Sequence, residues 1–302
     1  MIRMNTKLDP SWLDAQYNNR ALVPDFQNYL NRWKASSQRV RADQLCRLDT
    51  PYGGANGKGG ADDMNQSLDI FPSTSSRSPV LFFIHGGYWR SLDKSDHSFV
   101  APVFTQSGSC VVIPNYALCP KTDGRDVTIP DITLQMVDAL VWTYRNIAKF
   151  GGDPRRITVV GHSAGGHLAA MMLACAWQVV SSDLPADLVK NAVSLSGVFD
   201  LEPLRHTPFL QESLKLTAED TRRASPIHVA APAKGSLHCF AGAEESSEFI
   251  HQNTLLQTAW GKAAVPVAET VAGRNHFSVL ATLTQQHGSI VHDTVLALLK
   301  KA

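Results

Sequence analysis

The stretch that most constrains this chain is Val159-Val160-Gly161-His162-Ser163-Ala164-Gly165-Gly166-His167. Ile157 to Val160 is an apolar run that reads as a buried strand, and Gly166 to Ala174 reads as a helix that follows at once. A strand turning straight into a helix forces the apex residue into a strained backbone conformation. Glycines two positions to either side remove the Cβ atoms that would collide at so tight a corner. Ser163, at the apex, is then lifted clear of the sheet. The Ala164 amide opens the helix, where unpaired N–H groups and the helix dipole favour negative charge. The spacing predicts a serine nucleophile with half of an oxyanion hole attached. The alternative is a glycine-rich turn with an inert serine.

A serine hydroxyl is a poor nucleophile at neutral pH. It needs a neighbouring base, and the base needs a group that fixes its tautomer and stabilises its cation. On a strand–turn–helix corner of this kind the acid and then the histidine follow later in the chain, each on a loop after a strand. Of eleven histidines, only His276 lies on the loop directly after the last strand, in Asn275-His276-Phe277. His85, His162 and His167 flank glycine motifs and read as residues that shape loops. The acid should follow the strand ending at Ala241, where position alone leaves Glu244 and Glu245 both open. Asp200, after the preceding strand, reads as a cap for the segment behind it. The loop His85-Gly86-Gly87-Tyr88-Trp89 supplies the second half of the oxyanion hole, because glycines let backbone N–H groups approach a developing alkoxide. Gly86, Gly87 and Ala164 form the expected donor set. Tyr88 and Trp89 are readable either as core aromatics or as a surface that stacks on an aryl substrate.

From Val80 onward, strand and helix alternate, which means a mostly parallel sheet covered on both faces. Strands are expected at Val80–Ile84, Cys110–Pro114, the Ser163 corner, Val189–Leu195, Ser236–Ala241 and Val265–Val271. Helices are expected over Ser95–Gln106, Pro130–Phe150, Glu248–Trp260 and Ile290–Lys300. Leu201 to Ala231 is a polar, helical excursion placed where an insertion could form a small cap. Arg41–Thr50 and Asn65–Phe71 read as two further strands joined by the glycine-rich loop 53–63, expected to be the most mobile stretch. Residues 1–40 read as a helical arm, with one short helix capped by Asp9 with Pro10 at its first position, and a second from Pro24 to about Ser36. Packing across the main domain is the simpler role for this arm; walling a pocket with its aromatics is the sharper one. No break in composition divides the 302 residues, so a single domain is expected.

The bulk numbers narrow the partners. Apolar residues make up 44% and charged residues 18% of the chain, and the net charge is +1. Nothing points to nucleic acid or to an anionic membrane surface. Five scattered cysteines, with no Cys-x-x-Cys pair, fit a reducing compartment and no structural zinc. The first residues lack an apolar signal core, and no run reaches membrane-spanning length, so a cytoplasmic protein is expected.

Several segments together resemble the arylformamidase (kynurenine formamidase) branch of the α/β-hydrolase superfamily. They are His-Gly-Gly-Tyr-Trp at 85–89, Gly-His-Ser-Ala-Gly-Gly at 161–166, Ser-Gly-Val-Phe-Asp-Leu-Glu-Pro at 196–203, Glu-Ser-Ser-Glu-Phe at 245–249 and Asn-His-Phe at 275–277, with Leu-Asp-Ala-Gln-Tyr-Asn-Asn-Arg at 13–20. The resemblance implies an α/β-hydrolase fold with a central sheet of about eight strands. It also implies a triad of Ser163, Glu245 and His276, since an acidic residue precedes a Ser-Pro-Glu-Phe-like segment in that family. Here Glu stands where the family often has Asp, and Ser247 where Pro is common. The implied reaction is hydrolysis of N-formyl-L-kynurenine to formate and kynurenine through a formyl-enzyme. Carboxylester hydrolysis by the same residues is the alternative. No metal or other cofactor is implied, the partner is a small-molecule substrate, and a homodimer is compatible with the sequence.

Overall fold

The computed structural model describes residues 9–53 and 65–302. Its centre is an eight-stranded sheet. The strands are β1 (Arg47–Pro51), β2 (Ser67–Phe71), β3 (Ser78–Ile84), β4 (Cys110–Pro114), β7 (Gly152–His162), β8 (Val189–Leu195), β9 (Leu237–Gly242) and β10 (Val267–Val271). A separate two-stranded hairpin, β5 (Lys121–Thr122) and β6 (Arg125–Asp126), was not foreseen from the sequence. The spatial order is β1-β2-β4-β3-β7-β8-β9-β10. Neighbours from β4 to β10 pair in parallel, whereas β1 and β2 join the edge antiparallel.

Alternation along the strands builds two cores. Val80, Phe82, Ile84, Val112 and Val159 point into one hydrophobic cluster. Leu81, Phe83, Val111, Ile113 and Val160 point into the other. Side chains of period two thus bury both faces, which is why these strands are continuous apolar runs. Helices Ile129–Asn146 and Ala164–Leu173 cover the first face, and Ala101–Gln106 and Ile290–Lys301 cover the second. All five cysteines are free thiols. Among the described residues, no helix is long and apolar enough to cross a membrane.

Several boundaries differ from expectation. Arg41–Asp43 does not begin a strand; it ends a helix that runs from Phe26 to Asp43, well past Ser36. The Arg41 guanidinium is thereby delivered to the buried Asp69 carboxylate of β2, and β1 begins only where the chain reaches β2. Lys94–Gln106 is broken into 3-10 turns at Lys94–Asp96 and Ser98–Val100, followed by the helix Ala101–Gln106 with Pro102 in its first turn. The first helix is Pro10–Tyr17, and Asp9 caps it by accepting the Trp12 N–H at 2.9 Å. The expected hairpin loop, Gly53 apart, lies outside the described residues.

The parallel strands all end at the same edge. The loops after β3, β7, β8, β9 and β10 therefore meet there, as they do in open parallel sheets generally.

Candidate active site

Ser163 sits between β7 and helix Ala164–Leu173 with φ 56° and ψ −119°, a strained conformation for a residue with a side chain. The surrounding glycines explain how the corner closes. A Cβ on Gly161 would lie 2.0 Å from the Gly165 carbonyl oxygen, and one on Gly165 would lie 2.0 Å from that of Ile84. No side chain fits at either position. The Ser163 N–H donates to the Leu195 carbonyl at 2.8 Å, tying the apex to the end of β8.

The loop after β10 brings His276 to the serine. Ser163 Oγ and His276 Nε2 are 3.1 Å apart, with the hydroxyl placed to donate to the ring nitrogen. On the other side of the ring, His276 Nδ1–H donates to Glu245 Oε2 at 2.7 Å. The Glu245 carboxylate is fully buried. Its second oxygen, Oε1, accepts the Gly242 N–H at 2.6 Å and the Ser196 hydroxyl at 2.5 Å. Glu244 points elsewhere: it is exposed, and its backbone N–H bonds the Arg274 carbonyl. Of the two glutamates that position left open, Glu245 is the one against His276. Asp200 meets neither residue of the site; its side chain caps the next turn by accepting the Glu202 N–H at 3.0 Å.

His162 braces this arrangement. Its Nε2–H donates to the His276 carbonyl at 2.8 Å, and the two rings lie 5.0 Å apart. Burial, and then the nearby His276, push its pKa well below the usual histidine range, so it stays a neutral strut. His167, pushed down to about 4 by burial, donates from Nε2 to the Ala224 carbonyl at 2.6 Å and ties the 201–231 excursion to the helix behind Ser163.

The glycine loop lies against the serine. A Cβ on Gly86 would fall 3.0 Å from Ser163 Cβ and 2.8 Å from the His162 carbonyl oxygen. Gly87 has φ +110°, and a Cβ there would strike the Ser91 carbonyl at 2.0 Å. Among the described residues, no loop or turn hydrogen bond engages the amides of Gly86, Gly87 or Ala164. The loop is held from behind. His85 stacks on Tyr116 with centroids 4.2 Å apart, and the Tyr116 hydroxyl donates to the His85 and Gly86 carbonyls at 3.0 and 3.2 Å. Sequence reasoning had no signal for Tyr116, nor for Ser196 beyond its place just after β8.

Tyr88 and Trp89 part company. Both have positive φ, 50° and 53°, so their side chains diverge from the run of the loop. Tyr88 lines the pocket above Ser163, and its hydroxyl donates to the Tyr17 carbonyl at 2.6 Å. Trp89 is fully buried and packs edge-on against His167 at 5.0 Å. The reading of Trp89 as a stacking surface for substrate is therefore corrected: its ring is packed into the core against His167, behind the loop.

Ser163 and His276 lie in the wall of a pocket at this edge of the sheet. Trp33, Leu30, Tyr88, Phe209 and Phe277 give it aromatic and aliphatic sides, and Asn18, Asn19 and Arg20 come from the N-terminal arm. The arm thus walls the pocket, the sharper of its two readings. Its polar contributors, Asn18 to Arg20, carry no pattern that could have singled them out.

Comparison with known proteins bears on the chain as a whole. The model of the carboxylesterase family matches residues 27–222, well over half of the chain. The chain belongs to the carboxylesterase family. The match contains Ser163 and the 85–89 loop and ends before Glu245 and His276. Among curated relatives of this carboxylesterase-family chain, the kynurenine formamidase of Danio rerio is 31% identical over 93% of this chain and 92% of that protein. That of Salmo salar is 28% identical, over 92% and 90%. Among solved structures, a candidate thioesterase from Silicibacter sp. superposes with a TM-score of 0.78 at 28% identity, covering 95% of this chain and 98% of that one. Esterase B from Lactobacillus shares the fold at 16% identity, with a TM-score of 0.66 and coverage of 94% and 95%. The fold is that of an α/β-hydrolase, and the relatives are hydrolases of amide and ester bonds.

Proposed function

We propose that this hydrolase cleaves an aryl formamide, N-formyl-L-kynurenine, to formate and L-kynurenine through a formyl-serine intermediate. The observation that carries this reading is the unbroken chain from Ser163 Oγ through His276 to the buried Glu245, beside free backbone amides and an aromatic pocket. Two curated relatives that span nearly the whole chain bear the name kynurenine formamidase, which supports the choice of substrate.

In this reading Ser163 Oγ attacks the formyl carbon while His276 Nε2 takes its proton. Glu245, held by Ser196 and Gly242, keeps the His276 Nδ1–H in place and balances the imidazolium. The amides of Gly86, Gly87 and Ala164 receive the oxyanion. Each such donor lowers the barrier by about 3 kcal/mol. His276 then gives the proton to the departing arylamine nitrogen. Water, deprotonated by the same ring, attacks the formyl ester and releases formate and Ser163. The 201–231 segment acts as a cap, contributing Phe209 to the pocket wall. The free thiols are in keeping with a reducing, cytoplasmic setting.

Ester hydrolysis with the same residues is the second reading, favoured by the carboxylesterase family match. A panel of formyl, acetyl and butyryl derivatives of one aromatic amine and one phenol separates the two. Formamide cleavage that exceeds cleavage of the longer amides supports the proposal. Turnover of the phenyl esters with no formamide cleavage rejects it in favour of the esterase.

A further inference from the structure

Two arginines, Arg20 and Arg90, line the same pocket as Ser163 and His276. They come from distant places: Arg20 from the short helix Asn19–Leu22 of the arm, Arg90 from the loop just after Trp89. Their protein partners are all uncharged. Arg20 Nη2 donates to Ser91 Oγ at 3.3 Å, and its guanidinium lies 5.4 Å from the Phe26 ring centroid. Arg90 Nη1 donates to the Phe209 carbonyl at 3.0 Å and to Ser213 Oγ at 2.6 Å, with its guanidinium 5.4 Å from the Phe209 ring centroid. Among the described residues, no Asp or Glu forms an ion pair with either one. Arginines half-buried like Arg90 differ: Arg41 faces Asp69 and Arg205 faces Glu202. The two cations are also close enough to feel each other. Burial first, and then Arg20, lower the pKa of Arg90. Arg90, half-buried on this wall beside the more exposed Arg20 and without a counter-ion, costs free energy in the empty protein that an anionic ligand would recover.

The chemistry at Ser163 says where that anion belongs. A formyl group presents only a hydrogen beyond the scissile carbon, so recognition must come from the amine half of the substrate. The guanidinium fork pairs bidentately with a carboxylate, and the Nε and Nη2 donors of Arg90 have no protein partner among the described residues.

We propose that Arg20 and Arg90 form a carboxylate-binding subsite at the pocket, so that the preferred leaving group is an aromatic amine bearing a carboxylate on a short arm. This rests on Ser163 being the nucleophile. Tyr88, Phe209 and Phe277 hold the aryl ring between the reacting centre and the two arginines.

The test uses matched substrates. kcat/KM is measured for formanilide and for 3-(2-formamidophenyl)propanoate with the wild-type protein, R20M and R90M, each checked for an unchanged melting transition. The wild type should favour the anion by about ten-fold or more, and each variant should cut that ratio by about ten-fold, chiefly through KM. Since Arg90 also anchors Phe209 and Ser213, R20M decides the matter if R90M does not fold. A ratio in R20M within about two-fold of the wild type overturns the subsite. Should neither formamide react, phenyl acetate and 3-(2-acetoxyphenyl)propanoate give the same ratio. In that case the formamide reading falls, while the subsite stands or falls on the ester ratio alone.

Discussion

Between adjacent glutamates, one residue of position along the turn decides which is useful. Glu245 is buried with both oxygens engaged, by His276 on one and by Ser196 and Gly242 on the other. Glu244 is exposed and contributes only its backbone. The chain order of serine, acid and histidine was readable from the residues themselves, and only the family resemblance at 245–249 implied Glu245; position left the choice between two neighbouring acids open. It depends on how the turn after β9 closes, and the Glu245 N–H to Gly242 carbonyl bond of 3.2 Å closes it so that residue 245 faces inward. E245Q keeps the shape and removes the charge that stabilises the imidazolium. It should lower kcat by on the order of 10³–10⁴-fold on whichever substrate is best. E244Q should stay within about two-fold of the wild type. Steady-state kinetics of the two variants checks this, and equal losses would mean that the acid is misassigned.

At the scale of elements, the corner at Ser163 was legible because everything that makes it is local. Gly161 and Gly165 lie within two residues of the apex, and their carbonyl contacts leave no room for Cβ. The loop 85–89 was legible as a glycine motif, but its supports were not. Tyr116, from the loop after β4, and His162 reach it through space, and spacing along the chain does not report such contacts. Likewise, helix Phe26–Asp43 overran its expected end because a tertiary ion pair, Arg41 with Asp69, holds its last turn. The loop makes its own prediction. G86A places a Cβ against the His162 carbonyl and Ser163 Cβ, so the loop must retreat from the serine. Loss of one oxyanion donor should lower kcat by about 10²–10³-fold while KM changes far less. Kinetics of G86A at saturating substrate reads this out, and an unchanged kcat would remove Gly86 from the donor set.

On the whole-molecule scale, the edge strands and the N-terminal arm are locked to the parallel sheet by one buried cluster of charge. Asp69 on β2, fully buried, meets both Arg41, in the last turn of the helix that continues the arm, and Lys94 Nζ at 3.0 Å, while Lys94 also reaches Asp49 in the middle of β1. The alternation of strand and helix from Val80 onward made the parallel sheet legible. The arm's aromatic share of the pocket, Trp33, was open to reading as the sharper of two roles; the part of Asn18 to Arg20 was not, because they act through placement alone. D69N would leave Lys94 and Arg41 short of a buried partner, and should cost about 3–5 kcal/mol of unfolding free energy. Urea denaturation measures it, and a loss under about 1 kcal/mol would show that the cluster does not hold the arm. The proposed reaction depends on three distant loops meeting at one hydroxyl. Its most direct test is the rate of kynurenine release from N-formyl-L-kynurenine by the wild-type protein and by S163A. Hydrolysis by the wild type and a loss on the order of 10⁴-fold or more in S163A is the predicted result; cleavage by S163A at the wild-type rate would contradict it.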